Sequence, residues 1–367
     1  SSASPSSPGA TTEPGAYGTR RGGHHPIEPG LVDPAWTRLA TAGVVPLLLL
    51  GRVSPPFLDY IESAAVTSRW SALVEVLRGS GEFEPEAIGV SFPDPVEWET
   101  TDGETAHGFY YPPASAVCTG PDGELPPLIV NVHGGPTSLS LPGYNLSTQY
   151  WTSRGFAVLD VNYRGSFGYG TRYRLLLNGR WGVADADDVV TGARSLIAAG
   201  KVDPDRVAVR GASAGGFTVL RALERSEVFS AATSSYGVTD LVQMARTTHK
   251  FESRYIETLV GATGVDDPLM TERSPINAID DIHAPLLLLQ GSEDPIVPAE
   301  QATELYEAVR SQGLPVALKV FHGEGHGFRI AANIRRALEA ELSFYRQVWG
   351  LEAEEEGYEL TVENLAR

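Results

Sequence analysis

The hexapeptide Gly211-Ala212-Ser213-Ala214-Gly215-Gly216 sets a serine between glycines two residues before and two residues after it. It follows the apolar run Val207-Ala208-Val209-Arg210 and opens a helical pattern. A serine at such a strand-to-helix corner needs a strained backbone, and the flanking glycines remove Cβ atoms that would collide there. Its hydroxyl is then presented to solvent, with the dipole of the following helix aimed at the same spot. Serine at its ordinary pKa is a weak nucleophile, so it needs a base, and the base needs an orienting acid. Two later loops supply them. Gly291-Ser292-Glu293-Asp294-Pro295 follows the run 286–290, and His322-Gly323-Glu324-Gly325-His326-Gly327-Phe328 follows the run 316–321. Asp294 ranks above Glu293 because Asp294-Pro295 closes its loop as an acid held at a turn. His326 ranks above His322 because Gly325 and Gly327 free its loop to carry the ring across, whereas His322 ends the strand. The chemistry is acyl transfer, with Ser213 as nucleophile, His326 as base and Asp294 as the acid that fixes its tautomer. A fourth segment, His133-Gly134-Gly135-Pro136 after the run 128–132, lets the backbone approach a substrate oxygen. The amides of Gly135 and Ala214 are the expected oxyanion hole, each contributing roughly 3 kcal/mol in the transition state. His133 is read as a ring that pins this loop.

Other chemistries fit less well. His322-Gly323-Glu324-Gly325-His326 gathers two histidines and a glutamate, but its glycines argue against the helix on which zinc-binding histidines sit four residues apart. Gly165 to Gly170 has neither the GxGxxG register nor a phosphate-binding lysine. Neither a metal nor a cofactor is implied. Asp185 and Asp188 fall in the first turn of a helical pattern, where carboxylates satisfy the dipole. Tyr163 and Arg164, just past a strand, are candidates for the pocket wall. Glu252 and Arg254 are read as an ion pair near the site or as binders of a substrate terminus.

These loops need a scaffold that brings distant segments to one edge. The continuous apolar runs at 128–132, 156–161, 207–210, 229–236, 286–290 and 316–321 read as strands buried on both faces of a parallel sheet. Helical patterns lie between and after them, at 184–200, 215–226, 298–313 and 333–350. This alternation gives an α/β class with a mostly parallel, doubly wound sheet, whose ligands bind at the carboxyl ends of the strands. Val96 to Thr100, the Asp102-Gly103 corner and His107 to Tyr111 read as a hairpin that begins the sheet. The chain order Ser, Asp, His is that of the α/β-hydrolase fold.

The 367 residues carry 28 Lys and Arg against 46 Asp and Glu, 28 − 46 = −18, and are 42% hydrophobic. A globular chain of this charge disfavours nucleic acid and anionic membranes as partners. No run of eighteen apolar residues suggests a membrane helix. The single cysteine, Cys118, leaves no internal disulfide, and a cytoplasmic location is expected. Residues 1–36, rich in Ser, Pro and Gly, are expected to be disordered. Residues 37–85 read as short strands without enough partners, 86–350 as the α/β domain, and 351–367 as a solvated acidic tail.

Seven ordered segments also carry a resemblance: HGGPTS at 133–138, FAVLDVNYRGSFGYG at 156–170, WGVADADD at 181–188, RGASAGG at 210–216, THKFESRY at 248–255, LLLLQGSEDPIVP at 286–298 and GEGHGF at 323–328. The chain resembles the catalytic domain of the prolyl oligopeptidase family of serine peptidases, in the branch of acylaminoacyl-peptidases and dipeptidyl aminopeptidases. The resemblance implies Ser213 as nucleophile, Asp294 as acid and His326 as base, acting on peptide or aminoacyl amide bonds of short peptides. The same machinery would serve a carboxylesterase, and a non-catalytic scaffold on this fold is the reading from a different class. Members of this branch carry a β-propeller over the site, of which 37–85 would be only a remnant. The departure leaves three outcomes open for the surface a propeller covers: a missing N-terminal propeller piece, a homo-oligomer, or neither.

Overall fold

The computed structural model describes residues 89–117, 119–247, 254–351 and 358–366. The segments 1–36 and 37–85, together with Cys118, Glu252 and the acidic run 352–357, lie outside the described residues.

Strands β1 (Asp94–Glu99) and β2 (Thr105–Tyr111) form the expected antiparallel hairpin, with Asp94 opposite Tyr110 and Glu99 opposite Thr105. Its corner turns through left-handed backbone at Asp102, φ 64°, and Gly103, φ 68°, residue types that tolerate it. The remaining strands are β3 (Leu128–Val132), β4 (Ala157–Asn162), β5 (Val207–Ala212), β6 (Ala231–Ser235), β7 (Leu286–Gly291) and β8 (Val316–Phe321). The order across the sheet is β1-β2-β4-β3-β5-β6-β7-β8. β2 meets β4 antiparallel, and every later pairing is parallel. This is the α/β-hydrolase fold.

Helices α1 (Leu146–Thr152), α2 (Gly170–Leu175), α3 (Ala184–Ala198), α4 (Ala214–Arg225), α5 (Leu241–Thr247), α6 (Tyr255–Val260), α7 (Pro268–Glu272), α8 (Ala299–Ser311) and α9 (Ala331–Trp349) cover its faces. The period of two along each strand divides the core into two layers. Leu128 and Val130 join Val189 of α3 and Phe217 of α4 in one cluster, while Ile129 joins Trp151 of α1 and Phe344 of α9 in the other. In β7, Leu286 and Leu288 face the first layer, and Leu287 and Leu289 the second. Full burial of such a side chain stabilises by about 1.5–3 kcal/mol, which is why the run has no polar alternation.

Two expectations are corrected. The run 229–236 forms a shorter strand, because Tyr236 leaves β6 with φ at 38°. The chain end is not wholly solvated: Glu363 pairs with Val316 through N–H···O bonds of 2.8 and 3.1 Å, and Leu360 and Val362 pack on the second layer. Polar and apolar residues alternate there, so one face can dock on the edge of β8 while the glutamates face water. Among the described residues no helix is long and apolar enough to cross a membrane.

Candidate active site

Ser213 stands between β5 and α4 with φ 57° and ψ −121°, an uncommon conformation for a residue with a side chain, costing about 1–3 kcal/mol. The surroundings enforce it. Its N–H donates to Ser235 O at 2.9 Å, and its carbonyl accepts from Phe217 N at 3.1 Å, tying it to β6 and into α4. A Cβ at Gly211 would sit 2.5 Å from Gly215 O, and one at Gly215 would collide with the Val132 carbonyl oxygen. Glycine is needed at both positions because the corner is this tight.

Asp294 and His326 reach Ser213 from the ends of β7 and β8. His326 Nε2 lies 2.7 Å from Ser213 Oγ, and His326 Nδ1 lies 2.8 Å from Asp294 Oδ2. An ionised carboxylate only accepts, so Nδ1 carries the hydrogen and Nε2 accepts from the serine hydroxyl. Asp294 Oδ1 accepts from the amides of Ile296 (2.8 Å) and Val297 (2.9 Å). Burial opposes ionisation of Asp294, but the hydrogen bond with His326 and these amides outweigh it and hold the carboxyl below the usual carboxylate range. The alternatives Glu293 and His322 are both exposed.

The loop after β3 passes beside the serine. A Cβ at Gly134 would be 2.9 Å from Ala212 O and 3.6 Å from Ser213 Cβ, and Gly135 adopts φ 130°, a glycine conformation. The N–H groups of Gly135 and Ala214 have no acceptor among the described residues, so both remain able to donate to a substrate oxygen. His133 pins the loop, with Nδ1–H donating to Gly134 O at 2.8 Å and Nε2 meeting Ser166 Oγ at 2.8 Å. Burial pushes its imidazole down to about 4, so it is neutral at physiological pH.

The pocket-wall residues expected from the sequence are placed differently. Tyr163 is fully buried, stacks on His133 at 4.3 Å and donates to the carbonyls of His133 (3.1 Å) and Pro136 (3.0 Å). It braces the loop from behind. Arg164 is buried against Asp188, Nη2 to Oδ1 at 2.8 Å. The turn after β4 directs both side chains into the protein, where they are buried. Asp188 and Asp185 are structural, the latter accepting from Gly182 N at 2.7 Å and Thr218 Oγ1 at 2.5 Å. Arg254 is exposed, and its expected partner Glu252 lies outside the described residues.

Three features had no distinct signal in the sequence. Tyr236 packs edge-on to the His326 ring, with centroids 5.1 Å apart and an interplanar angle of 66°. Phe328 packs on Tyr236 in turn, at 5.2 Å. Glu324, buried, accepts from Arg329 N and Ile330 N at 2.9 Å and from Asn333 Nδ2 at 3.0 Å, fastening the loop that carries His326. Behind the serine, on the face covered by α1 and α9, lies a cavity of about 370 Å³ whose walls include Gly134, Ala212, Tyr236 and Phe328 and the ion pair Arg210–Glu341. Among the described residues no three His, Cys, Asp or Glu side chains could hold a metal ion.

The family model described as the prolyl oligopeptidase family matches residues 142–352. A second, described as the N-terminal GT-C domain of alpha-(1->3)-arabinofuranosyltransferase, matches 35–86, which lie outside the described residues. The chain is 32% identical over 278 residues to dipeptidyl aminopeptidase BIII of Pseudoxanthomonas mexicana, covering 73% of this chain and 40% of that protein. It is 34% identical to the acylamino-acid-releasing enzyme of Mus musculus, over 56% of this chain and 29% of that one. The solved structure of a puromycin-hydrolyzing peptidase of Mycobacterium tuberculosis superposes with a TM-score of 0.72 at 42% identity, covering 76% of this chain and 42% of that one. The chain thus spans less than half the length of the relatives it matches.

Proposed function

Because the chain belongs to the prolyl oligopeptidase family, we propose that it is a serine peptidase cleaving peptide or aminoacyl amide bonds of short peptides through an acyl-enzyme. The observation that carries the reading is the pair of hydrogen bonds, 2.7 and 2.8 Å, that joins Ser213 through His326 to Asp294. In this reading Ser213 Oγ attacks the carbonyl carbon while His326 Nε2 takes its proton. The oxyanion is met by the N–H groups of Gly135 and Ala214 at the N-terminus of α4. His326 then delivers the proton to the leaving amine, and a water activated by the same imidazole hydrolyses the acyl-enzyme. Asp294 keeps the tautomer correct throughout. Tyr163 and Arg164 act behind the site, so substrate contacts come from other residues. The lone Cys118 supports extending the reading to a cytoplasmic site of action.

The test is labelling and turnover together. A fluorophosphonate probe should label the wild type and leave Ser213→Ala unlabelled, and an aminoacyl anilide and puromycin should both be cleaved. Turnover of a matched nitrophenyl ester alone would make the protein a carboxylesterase. Absence of labelling would make it a scaffold on a hydrolase fold.

A further inference from the structure

Tyr236 occupies a position that a smaller residue would fill at lower cost. It leaves β6 with φ at 38°, one of few residues other than glycine with positive φ among the described residues, and Gly237 follows it. An outlier of this kind persists only where the surroundings over-determine it, and such outliers gather at functional sites. Here the surroundings are the three loops of the candidate site. The Tyr236 N–H donates to Leu289 O at 2.7 Å, on the strand that leads to Asp294. The carbonyl of the preceding Ser235 accepts the Ser213 N–H at 2.9 Å. The Tyr236 ring meets His326 at 5.1 Å, completing the set.

His326 needs such a support. Gly325 and Gly327 flank it, the latter at φ 93°, so its own backbone restrains the imidazole weakly. Asp294 fixes one end of the ring but leaves it free to swing about the Nδ1–H···Oδ2 bond, and an aromatic edge against the imidazole removes that freedom. Phe328, itself packed on Phe321 at 4.7 Å, backs Tyr236 from the far side. The Tyr236 hydroxyl has no hydrogen-bond partner among the described residues, so the ring is the part that matters.

We infer that Tyr236 is a positioning residue whose ring holds the His326 imidazole in line between Asp294 and Ser213. The inference rests on the peptidase reading, and its test separates the two. Tyr236→Gly relieves the backbone while deleting the ring, and the one partly offsets the other, so its melting temperature should fall by no more than about 10 °C with the fold kept. Its kcat on an aminoacyl anilide should fall ten- to a hundredfold with KM changed less than threefold, and the rate of fluorophosphonate labelling of Ser213 should fall in parallel. Tyr236→Phe, which keeps the ring, should restore most of both rates. Should the glycine variant lose its fold, Tyr236→Asn, which also tolerates positive φ, takes its place in the comparison. A wild type that neither labels nor turns over defeats the peptidase reading. An active wild type matched by Tyr236→Gly, or a phenylalanine variant as slow as the glycine one, defeats only the role of the ring.

Discussion

Asp294 uses its two oxygens differently. Oδ1 is occupied by the amides of Ile296 and Val297, and Oδ2 faces His326 Nδ1. Asp294→Asn should keep the shape, but an amide can present N–H where the carboxylate accepts, which turns the imidazole into the wrong tautomer. We expect turnover to fall about 10⁴-fold with the fold intact; a loss under tenfold would remove Asp294 from the mechanism. The variant also has a signature in stability. The pKa of the folded carboxyl lies below the usual carboxylate range, so its ionised form stabilises the protein above that range and the contribution is lost as the pH falls through the folded value. The denaturation midpoints of wild type and variant should differ by a constant amount from pH 8 to 5 and converge only below about pH 4. At this scale the convergence of Ser213, Asp294 and His326 into one hydrogen-bonded chain was legible, because glycine and chain order constrain where those residues lie. The sequence was silent where the direction of a side chain depends on a turn. Tyr163 and Arg164 follow a strand just as His133 does, yet they point inward. Tyr236 reads as one more aromatic closing an apolar strand.

The elements show where the loops get their rigidity. Helix α3 brings Asp188 under the turn after β4, where it accepts from Arg164 N (2.6 Å), Arg164 Nε (2.9 Å) and Thr100 Oγ1 (2.7 Å). One carboxylate thereby joins the hairpin corner, the β4 turn and the helix. Both charges are buried, with side-chain exposures of 2% for Arg164 and 0% for Asp188. Removing the Asp188 charge takes away the buried partner of Arg164 and leaves the guanidinium only the half-exposed Asp102 carboxylate, 3.1 Å from Nη1. Asp188→Asn should therefore cost about 3–5 kcal/mol in urea unfolding, and a loss below about 1 kcal/mol would mean that the pair is solvated. The strands themselves were legible because a strand buried on both faces has no room for polar alternation, as in Leu286-Leu287-Leu288-Leu289. Their order was not, since nothing in β3 or β4 states that β4 lies between β2 and β3. That exchange follows from packing helices on both faces with right-handed crossovers.

For the molecule as a whole, the sheet must end somewhere, and β8 is one of its two margins. Residues 358–366 lie along it: Tyr358, Leu360 and Val362 are turned partly inward, Glu363 pairs with Val316, and Asn364 Nδ2 donates to the carbonyls of Arg310 (2.8 Å) and Leu314 (3.0 Å). The energetic gain is small. Ordering each of these residues costs about 1–2 kcal/mol, while each half-buried side chain returns about 1–2 kcal/mol and each hydrogen bond about 1 kcal/mol. Truncation after residue 357 should accordingly move the melting temperature by only about 2–4 °C. Its larger effect should be on association, because a bare edge strand is a template for pairing with another chain. Lys319 guards the middle of β8, and its ammonium lies over the Tyr358 ring at 5.7 Å, so truncation uncovers the strand on both sides of a single charge. The strongly acidic surface slows approach at low salt and is screened within about 10 Å at 0.1 M salt. Light scattering of the truncated protein, held a few degrees below its melting temperature, should therefore rise with added salt while that of the full chain stays flat. Equal scattering from both would show that these residues do not guard the edge.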